Sequence, residues 1–120
     1  MKYQLTLVFI FLCNFIFAQL SNDNCDKPIL ISNPINYCSK AGEFTNVGAT
    51  PSGYGPANCF AASSNDVWFS FVAQATDVTI IVKGLINVAG SGGTLASPQA
   101  ALYYGSCGGT LTELECQSAT

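Results

Sequence analysis

Cysteine is the residue type in this sequence with the widest range of possible chemistry. Six cysteines occur among 120 residues, and five of them lie after the N-terminal apolar segment, at Cys25, Cys38, Cys59, Cys107 and Cys116. Zinc sites use closely spaced cysteines, often with histidine, but the chain has no Cys-x-x-Cys pair and no histidine. We therefore expect disulfides, which persist in oxidising compartments.

The spacing of these cysteines favours two local disulfides, Cys25–Cys38 and Cys107–Cys116. Each closes a loop of about a dozen residues or fewer, and the second fits a strand-turn-strand segment. Cys59 is then left without a partner. An odd cysteine in an exported chain suggests a partner outside these residues, so we expect the chain to be the N-terminal fragment of a larger protein.

Three aspartates could supply the hard oxygen ligands that calcium prefers. Asp23, Asp26 and Asp66 form this candidate calcium set, although residues 23–26 lack the glycine and the distal glutamate of an EF-hand loop. The alternative is that these side chains cap turns, as Asx residues commonly do. No other cofactor is expected.

The catalytic residue combinations of common hydrolases are missing from the sequence. A serine or cysteine nucleophile needs a neighbouring base, normally histidine, and there is none. Glu113 and Glu115 share a strand face, and paired carboxylates can hydrolyse glycosides at separations of about 5–9 Å. A solvated face is the simpler explanation, so we expect this segment not to be an enzyme.

Aromatic residues are candidates for ligand stacking. Trp68 could stack on a sugar ring, but its position between apolar residues predicts a core or half-buried side chain. Tyr103 and Tyr104 are neighbours in a predicted strand and must face opposite sides. One of them is expected in the core and the other at the surface.

The charge of the chain excludes two classes of partner. Only four lysines and no arginine oppose seven acidic residues, for a net charge of −3. Nucleic-acid binding depends on cationic groups that displace counterions from phosphates. Neither a nucleic acid nor an anionic membrane surface is therefore an expected partner.

Residues 1–18 have the composition of a signal peptide. Lys2 precedes an apolar run over residues 5–12, and Ala18 offers a small residue before Gln19. As a helix, residues 5–18 would span about 21 Å, short of the roughly 30 Å of a membrane core. We expect cleavage after Ala18 and no stable membrane span, which leaves residues 19–120 as one secreted or cell-surface module.

The elements that position these residues are predicted to be short strands. Apolar alternation and turn residues indicate strands over 28–32, 42–47, 66–73, 77–83, 100–104 and 111–116, with a hairpin joining the third and fourth. The Gly- and Pro-rich stretch 48–64 is a long loop of the kind that is functional, stapled or mobile. The predicted fold is all-β, a β-sandwich or jelly roll that is incomplete at its C-terminus.

Several motifs together resemble a known module. They are Asn-Asp-Asn-Cys at 22–25, Asn-Asp-Val-Trp-Phe-Ser-Phe at 65–71, Tyr-x-Gly-x-Cys at 103–107, and the strand ending in Cys116. The pattern resembles the β-sandwich modules, similar to pre-peptidase C-terminal domains and loosely CUB-like, of large surface proteins in gliding, type IX-secreting bacteria. It departs from them by lacking a cysteine in the strand after the tryptophan.

The resemblance implies a non-catalytic extracellular module that works in adhesion, structure or ligand binding. Its partners would be an extracellular protein or glycan, together with the secretion machinery. The alternative is an accessory domain, carbohydrate-binding in one version, of a secreted hydrolase whose catalytic part lies beyond residue 120.

The export hypothesis predicts the N-terminus of the mature protein. Protein recovered from its natural host should begin near Gln19, as measured by N-terminal sequencing or intact mass. Recovery of cytoplasmic protein that retains Met1 would contradict the hypothesis.

Overall fold

A computed structural model describes residues 19–54, 56–62, 65–84 and 95–118. Its strands, in chain order, are β1 (Ile29–Leu30), β2 (Phe69–Ser70), β3 (Gln99–Gly105) and β4 (Leu111–Ser118). The described residues contain no helix, and so none that could cross a bilayer. This part of the protein is a small, strand-rich, non-helical fold. The predicted signal peptide lies outside the described residues.

The first sheet pairs β1 with β2 in parallel. The backbone N–H of Ile29 donates to the carbonyl of Trp68 at 3.1 Å, and that of Ile31 donates to Ser70 at 2.8 Å. Before the strands begin, the N–H of Trp68 also donates to the carbonyl of Asn22 at 2.9 Å. The two segments that carry the Asn-Asp motifs therefore run side by side into the sheet.

The second sheet is an antiparallel hairpin of β3 and β4. Its register changes between Leu102, which faces Glu115, and Tyr103, which faces Glu113, so that Leu114 forms a β-bulge. Gly105 ends β3 at a φ of +129°, where an added Cβ would collide with the Thr110 carbonyl. Glycine is thus required where the hairpin closes.

The interior of the described chain is small and only partly apolar. Its buried residues include Cys25, Ala49 and Ala57 together with the polar Asn22 and Asp23. Most of the large aliphatic side chains are at least one-third exposed instead, among them Leu30, Val72, Ile81 and Leu114. A core of this size supplies little hydrophobic stabilisation, which gives covalent cross-links a larger share in holding the fold.

Two disulfides join the N-terminal half of the chain to the hairpin. Cys25 bonds to Cys107 across 82 residues of sequence, with a Cα–Cα distance of 5.5 Å. Cys59 bonds to Cys116 across 57 residues, at 5.9 Å. Such sequence-distant links suit an oxidising, extracellular environment, and they remove more chain entropy from the unfolded state than local links would.

The local pairings predicted from sequence, Cys25–Cys38 and Cys107–Cys116, are therefore wrong. Cys107 lies in the hairpin turn, whereas Cys116 lies well along β4 opposite Ala101, so the two cannot face each other across the hairpin. Cys38 is exposed and unpaired among the described residues. Cys59, predicted to lack a partner, has one within the chain.

Strand prediction from sequence is confirmed for two segments, holds in part for two more and fails for the others. The predicted strands at 100–104 and 111–116 correspond to β3 and β4, while 28–32 and 66–73 are each reduced to two residues, β1 and β2. Residues 42–47 and 77–83 form no strand, and the predicted hairpin between 66–73 and 77–83 is absent. A strand needs a neighbouring edge for its backbone groups, and neither segment has one among the described residues.

The disulfide pattern predicts the result of peptide mapping. Non-reduced digestion of the oxidised protein should link Cys25 to Cys107 and Cys59 to Cys116, with a thiol reagent labelling Cys38. A Cys25–Cys38 peptide, or labelling of Cys59, would contradict the pairing.

Candidate functional site

The two Asn-Asp motifs of the sequence meet in space and hold one loop between them. Asn22 binds both backbone groups of Trp68: its carbonyl accepts the N–H of Trp68, and its Nδ2 donates to the Trp68 carbonyl at 3.1 Å. This pairing brings the carboxylates of Asp23 and Asp66 to the same loop, residues 46–52, which we call the 46–52 loop.

Asp23 anchors the centre of the 46–52 loop. Its Oδ1 accepts the backbone N–H of Thr50 at 2.6 Å, and its Oδ2 accepts the Thr50 hydroxyl and the Gln19 amide, each at 2.7 Å. Only 1% of the residue is exposed. The hydrogen bonds from Gln19 and from the backbone and side chain of Thr50 lower the pKa of Asp23 from its ordinary value, against a smaller opposing effect of burial.

The second motif, Asn65-Asp66, forms hydrogen bonds with the same loop on either side of Thr50. Asp66 Oδ1 accepts the backbone N–H of Ser52 at 2.8 Å, and Asn65 Nδ2 donates to the Ala49 carbonyl at 2.8 Å. Asn46 Nδ2 returns a hydrogen bond to the Asn65 carbonyl at 3.1 Å. The loop lacks strand or helix structure, but side chains from both motifs satisfy its backbone groups.

A shallow cleft opens beside the end of this loop. It has a volume of about 390 Å³ and is lined by Asn24, Cys25, Asp26, Ser52, Gly53, Tyr54 and Gly108; we call it the Tyr54 cleft. The hydroxyl oxygen of Tyr54 accepts the backbone N–H of Gly108 at 2.8 Å. The ring is therefore fixed at one end by its own loop and at the other end by the hairpin turn. The Cys25–Cys107 disulfide links that turn to the N-terminal segment.

Tyr54, which lines the cleft, is the first of three aromatic rings that pack in a row. Tyr54 and Trp68 pack edge to face, and Trp68 and Tyr103 are tilted, with ring centroids 5.8 Å apart in both pairs. The Trp68 indole N–H donates to Asp66 at 3.1 Å. Burial raises the pKa of Tyr103, helped by the negative charges of Glu113 and Asp66.

The sequence predictions are confirmed for Trp68 and for the exposure of one tyrosine, but the other tyrosine is half-buried and not in the core. Trp68 is half-buried, and Tyr103 is half-buried while Tyr104 is exposed on the opposite face. Glu113 and Glu115, weighed as a carboxylate pair, have different surroundings. The Glu113 carboxylate accepts the backbone N–H and the side-chain amide of Asn58 at 3.0 and 3.1 Å, whereas Glu115 is exposed.

The three aspartates of the predicted calcium set are not brought together as ligands. Asp23 and Asp66 accept hydrogen bonds from N–H and O–H groups of the chain itself, and Asp26 is exposed at the cleft. No group of three His, Cys, Asp or Glu side chains within the described ranges could share a metal ion. Asp23 and Asp66 accept hydrogen bonds that hold a loop in place. This role is similar to the alternative prediction, in which these aspartates cap turns.

Comparisons with protein-family models, with curated proteins and with solved structures find no match to this chain. The resemblance to pre-peptidase C-terminal-like and CUB-like modules thus stays a prediction.

Thr50, Ser52 and Tyr54 are site residues that were not predicted from the sequence. The pattern of residues 48–64 predicts only a long loop that is functional, stapled or mobile. A tyrosine in the Pro51–Pro56 stretch, where glycine and serine otherwise prevail, is the one signal that pointed to a fixed ring. The acceptors that bind this loop lie 27 and 14 residues away in sequence, beyond the reach of local patterns.

Replacing Asp23 by Asn should destabilise the protein at neutral pH. An amide has only one acceptor oxygen, and its NH₂ group would face the donors of Thr50 or Gln19. Because the folded-state pKa of Asp23 is lowered, its stabilising effect is complete above the unfolded-state pKa and is lost as pH falls through the folded-state value. The midpoints of thermal unfolding of wild type and Asp23→Asn should therefore converge on acidification.

The matched control for this experiment is Asp26→Asn, at an exposed carboxylate. Its midpoint at pH 7 should stay close to that of the wild type. Equal midpoints for Asp23→Asn and Asp26→Asn at pH 7 would show that Asp23 does not hold the loop.

Proposed function

We propose that this chain is a non-catalytic extracellular module that binds a neutral glycan in the Tyr54 cleft. In this proposal the module is a β-sandwich, exported by the signal peptide at residues 1–18, and it displays the cleft at the cell surface or in the medium. The observation that carries the proposal is a fixed, partly exposed tyrosine ring among hydrogen-bonding side chains.

The chemistry of the cleft suits a sugar ring. A pyranose presents an apolar C–H face and a rim of hydroxyl groups. An exposed aromatic ring offers a surface for the C–H face. The Asp26 carboxylate, the Asn24 amide and the Ser52 hydroxyl surround Tyr54 in the cleft and can form hydrogen bonds with the sugar hydroxyl groups. An aromatic surface with a few polar groups is the usual composition of a small-ligand site.

The charge of the cleft favours a neutral ligand. Asp26 brings a negative charge to its rim, and none of the lining residues is a lysine. An anionic saccharide would meet a carboxylate without a compensating cation. The ligand class is therefore a neutral oligosaccharide rather than a sulfated or uronic-acid polymer.

Rigidity is the second property that supports binding. The hairpin turn, the 46–52 loop and the N-terminal segment converge on the cleft and are joined by Cys25–Cys107 and by Asp23. Pre-organised groups lose less conformational entropy when a ligand binds. This arrangement serves an adhesion module and equally an accessory domain of a secreted hydrolase, the alternative that the sequence leaves open.

Trp68 provides the readout for a direct test. It is the only tryptophan of the chain, and its ring centroid lies 5.8 Å from that of Tyr54, so ligand in the cleft should change its fluorescence. Titration with a panel of neutral oligosaccharides should give a saturable signal, and Tyr54→Ala should weaken binding by about tenfold or more, the loss typical of a key contact residue.

Tyr37→Ala is the matched control, because Tyr37 and Tyr54 are 44% and 45% exposed and Tyr37 does not line the cleft. Its affinity should equal that of the wild type, measured by isothermal titration calorimetry. Absence of binding to every neutral saccharide, or equal affinities of Tyr54→Ala and wild type, would contradict the proposal.

A further inference from the structure

The segment Asp77–Lys83 is a strong β-forming sequence without a strand partner in the described part of the chain. It has five consecutive β-branched residues, Val-Thr-Ile-Ile-Val, at positions 78–82, the residue class most enriched in strands. The structure nevertheless assigns it no strand, and its backbone makes no hydrogen bond to the backbone of another described residue. Backbone N–H and C=O groups that have no backbone partner among the described residues, beside aliphatic side chains, form a template for strand addition.

The side chains of this segment are also largely uncovered. Ile81 is 71% exposed, and Val78, Ile80 and Val82 are each 46–51% exposed. Ile80 and Val82 border a narrow groove of about 100 Å³ whose other wall includes Pro98 and Ala100. Burying aliphatic surface of this kind is favourable, so a partner strand would gain both hydrogen bonds and apolar contacts.

The charges at the two ends of the segment indicate what that partner is. Asp77 and Lys83 are both exposed, and Asp77 accepts one side-chain hydrogen bond, from the neighbouring Thr76. If two copies of the segment pair antiparallel about a two-fold axis at Ile80, Asp77 of each copy lies opposite Lys83 of the other. The same register places Val78 opposite Val82 and Ile80 opposite Ile80.

We propose that this chain forms a symmetric dimer in which the Asp77–Lys83 segments of two copies pair as antiparallel strands centred on Ile80. The contact is isologous, as two-fold interfaces are. Opposite charges stabilise facing positions of an antiparallel pair, and like charges destabilise them. A slip by one residue would remove both ion pairs and change which side chains face each other.

The size of this contact limits its strength. A single pair of seven-residue strands buries less than the roughly 1,200 Å² of a standard stable interface. The dimer is therefore weak, and its population rises with protein concentration. Residues 77–83 do not line the Tyr54 cleft, so glycan binding and dimerisation can be measured separately.

A charge exchange tests the register. Sedimentation equilibrium of the full chain up to about 1 mM, a concentration suited to dissociation constants in the millimolar range, should show a monomer–dimer equilibrium. Asp77→Lys alone should weaken dimerisation by about tenfold, because lysines then face each other at both ends. Adding Lys83→Asp to this variant should restore the wild-type association within about threefold, and the control Lys27→Asp should leave it unchanged.

Site-specific cross-linking tests the two-fold axis. In a background of Cys13→Ser and Cys38→Ser, Ile80→Cys should form a disulfide dimer on mild oxidation, because facing Cα atoms lie about 4.5–5.5 Å apart within the disulfide range. Val82→Cys faces Val78 of the second copy and should cross-link at least about tenfold more slowly.

Three results would overturn the proposal. The first is a wild-type protein that is monomeric throughout the concentration range. The second is a double exchange that stays as weak as Asp77→Lys, which would indicate association through another surface or with an unrelated strand. The third is equal cross-linking of Ile80→Cys and Val82→Cys.

Discussion

The structure depends on a buried carboxylate that accepts three hydrogen bonds. Asp23 is almost fully enclosed, and its two oxygens bind the amide of Gln19 and both donors of Thr50. A buried carboxylate is tolerable only when such donors replace its lost hydration. The interaction therefore determines the position of the 46–52 loop, and through it the direction from which Tyr54 enters the cleft.

The disulfides and the Asn-Asp motifs stabilise this fold, a role that a large aliphatic core has in other domains. Within the described residues the buried set is small, and several large hydrophobic side chains are exposed. Cys25–Cys107 and Cys59–Cys116 connect segments far apart in sequence, so they fix which loops become neighbours. The side-chain hydrogen bonds then fix the detailed geometry, and the result is a rigid cleft on a fold with only short strands.

Local patterns in the sequence predicted the parts of the fold that depend on local physics. Alternation and turn residues located β3 and β4, and the opposite environments of Tyr103 and Tyr104 follow from strand geometry. The disulfide partners could not be predicted in this way, because loop-closure entropy favours short loops while the native pairing depends on where the turn holding Cys107 comes to lie. The segment 77–83 illustrates the same limit, since strand propensity cannot supply a neighbouring edge.

Hydrogen exchange at the Thr50 amide tests the central role of Asp23 most directly. Thr50 lies in a loop without strand or helix structure, where amides ordinarily exchange fast, yet its N–H donates to a buried carboxylate. We expect the Thr50 amide to be strongly protected in the wild type and to lose that protection in Asp23→Asn, with the β3–β4 amides still protected. Fast exchange of Thr50 in the wild type, or unchanged protection in the variant, would contradict this role of Asp23.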